Sequence, residues 1–261
     1  RDFVAEYVGQ VAILMTNLSR FAEDFILWSS SEFSFIELSD KFASTSSVMP
    51  QKKNPDILEL TRGKTAQVIG YQMAILSNIK GLPSGYSRDL QQIKISIWAS
   101  SKIAISTLLV INAMLKTLKV NKHKMKKAID SGYSISLDIA EHLVKDGIPF
   151  RVAHKIIGKL VQAASKSKKP LSSLSVSEIR KSLNDGGVKA TELYKIIQAM
   201  TAHSSLNERT SHGSAGKSEQ KRMILDRKKK IQAYRVGTAK RTNEIKIAFE
   251  NLAKKVKTLT K

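Results

Sequence analysis

Val4, Val8, Val11, Met15, Leu18, Ala22 and Phe25 recur in steps of four and three. That period belongs to one face of an α-helix and to no strand. Leu14 and Phe21 widen the stripe, so a single long helix must lay a broad apolar face on something. No alternation of apolar and polar residues appears along the chain, and no internal repeat, so the expected fold class is all-α. Residues 1–28 read as helix interior with no N-cap in front of them, and the first residue is Arg1, so an upstream portion is expected to be absent.

Serine enrichment over residues 29–47 reads as an irregular connection. A second helix is expected to open at Asn54-Pro55-Asp56, with Asn as N-cap, Pro in the first helical position and Asp in the first turn. It should run to about Lys80, where Gly81-Leu82-Pro83-Ser84-Gly85 interrupts the chain before a third long helix over roughly 88–118. Helices of this length need partners for their apolar stripes, which predicts an elongated bundle over residues 1–125. After Val120 the pattern shortens to helices near 134–146, 149–165, 176–184 and 190–202, read as a small helical domain over 126–216. A last basic helix is expected over 217–261, where Ile245, Phe249, Leu252, Val256 and Leu259 resume the four-three step.

The chain carries a net charge of +22, and residues 217–261 hold fifteen Lys or Arg against four Asp or Glu, half of that total. Two readings stay open: a solvated face that aids solubility, or attraction of nucleic acid or an anionic substrate. With only 22 acids in the chain, ion-pair networks account for little of it. Cysteine is absent, which removes disulfides and fits a cytoplasmic location. Lys102 and Lys116 break the apolar stretch over 95–119, so no membrane span is expected. No His or acidic cluster has metal-ligand spacing, so neither metal nor cofactor is predicted.

The segment Thr45-Ser46-Ser47-Val48-Met49-Pro50-Gln51-Lys52-Lys53-Asn54-Pro55-Asp56 carries the most chemistry. Serines on a flexible stretch stand before a marked helix start, where unpaired backbone N–H groups and the helix dipole favour an anion. Lys52 and Lys53 add formal charge there, making a place for a carboxylate or phosphate. The competing reading is a capped helix behind a solvated Ser-Lys loop.

This segment resembles the signature loop of the fumarase/aspartase superfamily, and its version Ser-Ser-x-Met-Pro-Gln-Lys-Lys-Asn-Pro-Asp resembles argininosuccinate lyases in particular. The stretch Gly81 to Gln91, the opening Arg1-Asp2-Phe3-Val4-Ala5-Glu6, and Leu143 to Leu160 with Gly147-Ile148-Pro149-Phe150-Arg151 and His154 are similar to further segments of that family. The resemblance implies anti β-elimination of argininosuccinate to arginine and fumarate by a homotetramer whose active sites draw on several chains. It places Ser46 at the general base and Lys52 as stabiliser of the doubly charged carboxylate of the intermediate. It places Glu59 as the orienter of a histidine proton donor, and Arg1, Asn54, Tyr86, Gln91 and Lys94 as substrate-binding residues.

The chain departs from the pattern at Thr45, where the family has Gly, which would stiffen or shift the loop. His123, His142, His154, His203 and His212 lie in no matching motif, so the proton donor is expected from elsewhere and the chain alone is expected to be inactive. Gly213-Ser214-Ala215-Gly216-Lys217-Ser218 superficially resembles a phosphate loop, but Ser211 stands where the first Gly is required. Two other functions are weighed: a catalytically silent structural homologue, and a basic helical nucleic-acid-binding module. The last helix has few aromatic residues for stacking, so no specific nucleic acid is expected.

Overall fold

A computed structural model describes residues 1–45, 53–183 and 187–260. Two compact units divide the chain, Arg1–Lys127 and Ala128–Lys261. Both are helical, as the periodicity predicted.

The first unit is built on α1 (Asp2–Ser29), α2 (Asp56–Ile79) and α3 (Ile93–Thr117). Their buried residues meet in three layers: Val4 and Val8 with Ile75 and Ile93, then Val11 and Met15 with Val68 and Ala104, then Ala22 with Leu58 and Met114. Numbers rise along α1 and α3 while they fall along α2, so α2 runs antiparallel to both. Met15, Leu58, Ile75 and Met114 are fully buried, and each such side chain contributes about 1.5–3 kcal/mol by leaving water. Thr65 keeps its buried hydroxyl satisfied by donating to the Met15 carbonyl at 3.0 Å and its own helix's Thr61 carbonyl at 2.9 Å.

The start of α2 differs from the expectation. Asn54 is not its N-cap: the cap position is Pro55, which has no side-chain hydrogen bond to give, and Pro55 O accepts from the N–H groups of Leu58 and Glu59. Asn54 belongs instead to β3 (Lys53–Asn54), paired antiparallel with β2 (Ser44–Thr45) in the register Ser44↔Asn54 and Thr45↔Lys53. A second ladder pairs β1 (Ile36–Glu37) with β4 (Lys119–Val120). Two-residue strands are too short to show alternation, which is why the period gave no sign of them. The third helix also opens later than expected, because a 3-10 turn over Arg88–Gln91 precedes α3.

By length and composition, the stretch Arg88–Thr117 would be apolar enough to cross a membrane. A core strut of a helical bundle meets the same description, and the face bearing Ile93, Ala104, Ile111 and Met114 is buried in that way, with Ser96, Ser100 and Thr107 on it. Its other face leaves Ile95, Trp98, Ile105 and Leu109 exposed.

After α4 (Lys122–Ser131), within which the two units divide, come α5 (Ser136–Lys145), α6 (Phe150–Lys166), α7 (Val176–Ser182), α8 (Ala190–Ala199), α9 (Ala202–Glu208) and α10 (Lys217–Leu259). α4 and α9 were not anticipated: four of the ten residues of α4 are lysine and it buries nothing, so it carries no apolar period. One core joins Ile139, Leu143, Ile156, Leu160, Ile179, Leu193 and Ile197. Gly147, at φ +92°, turns the chain after α5 into Pro149, a conformation that suits glycine. Reciprocal capping boxes start α7, through Ser175 and Glu178, and α9, through Thr201 and Ser204. Buried Asp138 ties α5 to the end of α9, accepting from Ser205 Oγ at 2.8 Å and Arg209 Nη2 at 2.9 Å.

The loop before α10 folds around Glu219. Its carboxylate accepts from the Gly213 N–H at 2.7 Å and from two guanidinium nitrogens of Arg222 at 2.6 and 2.7 Å. These bonds, the Arg222 pair first, hold its pKa down to about 2. Past Glu219 no residue of α10 is buried.

Candidate active site

The sequence-predicted site residues fall at the two ends of α2. With 24 residues at about 1.5 Å each, those ends stand roughly 36 Å apart.

At one end are Arg1, Tyr86, Gln91 and Lys94. Arg1 Nη1 donates to the Pro83 carbonyl at 3.0 Å, which draws the start of α1 onto the loop between α2 and α3. Gln91 Nε2 lies 3.2 Å from the Tyr86 hydroxyl, its donor aimed at that oxygen. Gln91 closes the 3-10 turn and Lys94 is the second residue of α3, both exposed, so the pair straddles the turn-to-helix junction instead of sharing one helix face. Ser87 donates to Asp89, and this hydrogen bond, with the Asp89 backbone N–H, holds the Asp89 carboxyl below its ordinary range. The turn is thereby fixed from within. Its exposed donors are a guanidinium, a carboxamide, a phenol and an ammonium, a set that recognises carboxylate and amino-acid groups.

At the other end are Asn54, half-buried on β3, and Glu59, exposed in the first turn of α2. Ser46 and Lys52 lie outside the described residues. The chain on either side of them is firmly held: β2 pairs with β3, and Ser44 Oγ donates to Asp56 Oδ1 at 2.7 Å. Lys53 is engaged by Asp40 at 2.6 Å and Glu37 at 3.4 Å. The Asp40 hydrogen bond, foremost among these, raises the Lys53 pKa, and Asp40 is lowered in return. This corrects the sequence reading, which counted the Lys53 charge toward an anion site. Asp40 and Glu37 were missed because their partner is more than a dozen residues away, beyond any local spacing rule.

Three of the histidines have side-chain partners of their own. His142 Nε2 is 2.9 Å from Glu208, which also takes Lys145, His212 meets Arg222 at 2.7 Å, and the His154 ring lies 5.9 Å from that of Phe150. Among the described residues no group of three or more His, Asp or Glu is placed to hold a metal.

Similarity to known proteins extends over nearly the whole chain. Residues 1–70 match the family described as Lyase, and residues 133–207 the family described as Argininosuccinate lyase C-terminal. The argininosuccinate lyase of Nitrosopumilus maritimus is 61% identical over 256 residues, covering 98% of this chain and 53% of that protein. That of Syntrophus aciditrophicus is 48% identical over 69% of this chain and 38% of its own length. Among solved structures, an EDDS lyase variant with bound fumarate superposes with a TM-score of 0.81 at 25% identity, over 93% of this chain and 49% of that one. The class II fumarase of Schistosoma mansoni, at 22% identity and a TM-score of 0.53, shares the fold over 76% of this chain and 40% of its own.

The antiparallel long-helix bundle followed by a small helical unit is thus that of the fumarase/aspartase superfamily. The chain spans about half the length of the curated relatives it matches. Within the superfamily it belongs to the argininosuccinate lyase family.

Proposed function

We propose that this chain contributes both ends of the active site of a carbon–nitrogen lyase that cleaves argininosuccinate to arginine and fumarate. The observation that carries the reading is the division of the matching residues between the two ends of α2. Residues roughly 36 Å apart cannot meet around one small substrate, so Asn54 and Glu59 work with the Arg1–Lys94 end of a second copy. A homotetramer with shared sites supplies that arrangement, and the exposed apolar face of α3 is suited to such packing. The fumarate held by the related EDDS lyase fits the expected product.

In this mechanism Ser46 removes the proton from the carbon next to a succinyl carboxylate. A serine hydroxyl is too weak a base at neutral pH unless nearby positive charge holds it as an incipient alkoxide. Lys52 stabilises the carboxylate as it takes up the carbanion's charge, an electrostatic contribution preorganised before reaction. The electron pair then expels the guanidinium nitrogen of arginine, which receives a proton from a histidine that Glu59 orients, carried on a segment outside this chain. Asn54, Arg1, Tyr86, Gln91 and Lys94 hold the substrate. The reaction needs no cofactor, and the cytoplasm is its expected setting.

The test joins residues 1–261 to the upstream half of the Nitrosopumilus maritimus relative and follows fumarate release, with adenylosuccinate as parallel substrate. Release from argininosuccinate alone supports the proposal. Release from adenylosuccinate overturns the substrate, and silence on both overturns the activity. The unjoined chain is expected to be inactive.

A further inference from the structure

The helix α10 lies beyond both family matches, which end at residue 207, and the lyase reading gives it no task. It is a single helix of 43 residues, about 65 Å long, with no buried residue past Glu219. Ile245, Phe249, Leu252, Val256 and Leu259 follow a four-three step along it, with Phe249 67% and Leu259 85% exposed. Read as a heptad, this puts Phe249 and Val256 at a, and Ile245, Leu252 and Leu259 at d. Continued backward, the d positions are Ile224, Ile231 and Thr238, so the seam runs the length of the helix.

Charge is sorted about this seam. The earlier a positions are Lys221, Lys228, Arg235 and the uncharged Thr242, and the flanking e and g positions carry Arg227, Arg241, Lys246 and Lys255. The four acids, Glu219, Asp226, Glu244 and Glu250, all fall at b, c or f, away from the seam. Every charge beside or within the seam is therefore positive.

A second copy is a poor occupant. Parallel pairing sets Lys221, Lys228 and Arg235 against their own counterparts. Antiparallel pairing lays those charges on the apolar half around Phe249. A lipid surface leaves the first half of the stripe interrupted by lysine, and nucleic acid leaves the 245–259 seam uncovered. A helix of the opposite charge satisfies both halves.

We propose that α10 is one strand of a coiled coil whose other strand belongs to a different protein. That strand is apolar where it faces residues 245–259 and acidic where it faces 221–241.

The test measures binding of the 261-residue chain to a labelled synthetic helix of about six heptads, with Leu opposite the apolar half and Glu at a, e and g opposite the basic half. A matched peptide with Lys for Glu is the control, and circular dichroism verifies the helicity of each protein variant. The expected result is binding of the acidic peptide with a dissociation constant of about 1 μM and none of the basic one. Phe249→Glu, and separately Lys228→Glu with Arg235→Glu, should each weaken it about tenfold or more. Equal binding of both peptides, or indifference to either variant, overturns the proposal. So does a fall in the chain's own sedimenting mass caused by Phe249→Glu, which would assign the seam to a second copy. Tighter capture by phosphatidylserine vesicles or duplex DNA than by the acidic peptide overturns it as well.

Discussion

The guanidinium of Arg1 and the carbonyl of Pro83, 82 residues apart, are joined by a 3.0 Å hydrogen bond. It fastens the start of α1 to the turn that carries Tyr86, Gln91 and Lys94, leaving other guanidinium donors for a substrate carboxylate. In the joined enzyme, Arg1→Ala and Lys94→Ala are each expected to raise KM about tenfold or more, the loss of one charge-assisted hydrogen bond of roughly 1.5–3 kcal/mol. Steady-state kinetics on argininosuccinate checks this, and an unchanged KM removes the residue from the site.

Ser46→Ala should lower kcat by about 10²–10⁴, the range of a lost general base, with the sedimenting mass unchanged. A wild-type rate would take the base away from Ser46.

On the proposed arrangement, in which the two ends of α2 serve different sites, Ser46→Ala and Lys94→Ala damage opposite ends of each chain. Mixed and reassembled, the two variants should recover part of the wild-type activity, since some sites then draw both ends from undamaged copies. No recovery beyond the sum of the separate variants would mean that one chain builds its own site.

Much of this architecture was legible in advance. The four-three step of Val4 to Ala22 is, apart from half-buried Leu18, the set that α1 buries, and Gly81 to Gly85 marks the turn between α2 and α3. Asn54 misled because a good capping residue before Pro-Asp is a local preference, and pairing with Ser44 outweighed it. The clasp of Lys53 by Asp40 and the hold of Arg1 on Pro83 come from tertiary proximity, which no period encodes. The site residues followed from motif resemblance, whereas their separation along α2 needed the fold.

Gly216 starts α10 with its Cα against the carbonyl of Arg209, so closely that a Cβ would occupy the same space. Arg209 is held in turn by Asp138. Gly216→Ala should therefore displace the loop and destabilise this unit by about 1–3 kcal/mol, as overpacking does. Urea unfolding checks it, and an unchanged midpoint would mean that the junction yields without cost.

Acid should weaken the second unit in a defined window. Glu178, through the Ser175 backbone N–H first, and Glu219, through Arg222 first, are both held down to about 2 from an ordinary 4.5. Folded-state values below the unfolded ones mean that each carboxylate's contribution is complete above pH 4.5 and fades as pH falls toward 2. The Glu219→Gln variant should lose stability at neutral pH and show a shallower decline across that window. An identical pH profile for variant and parent would show that Glu219 is not the group responsible.

α2 also acts as a ruler. One residue added to its middle would lengthen it by about 1.5 Å and swing one end through about 100° relative to the other. Asn54 and Glu59 would then face a new direction while Tyr86 and Lys94 kept theirs. The core layers would resist such a change, since Leu58 or Ile75 would turn out of its layer, and on the proposed function the chemistry at both tips would resist it further. On that reading the number of residues in α2 is held by its ends as well as by its core, and evolution has less room to change that count than to change the side chains on its exposed face.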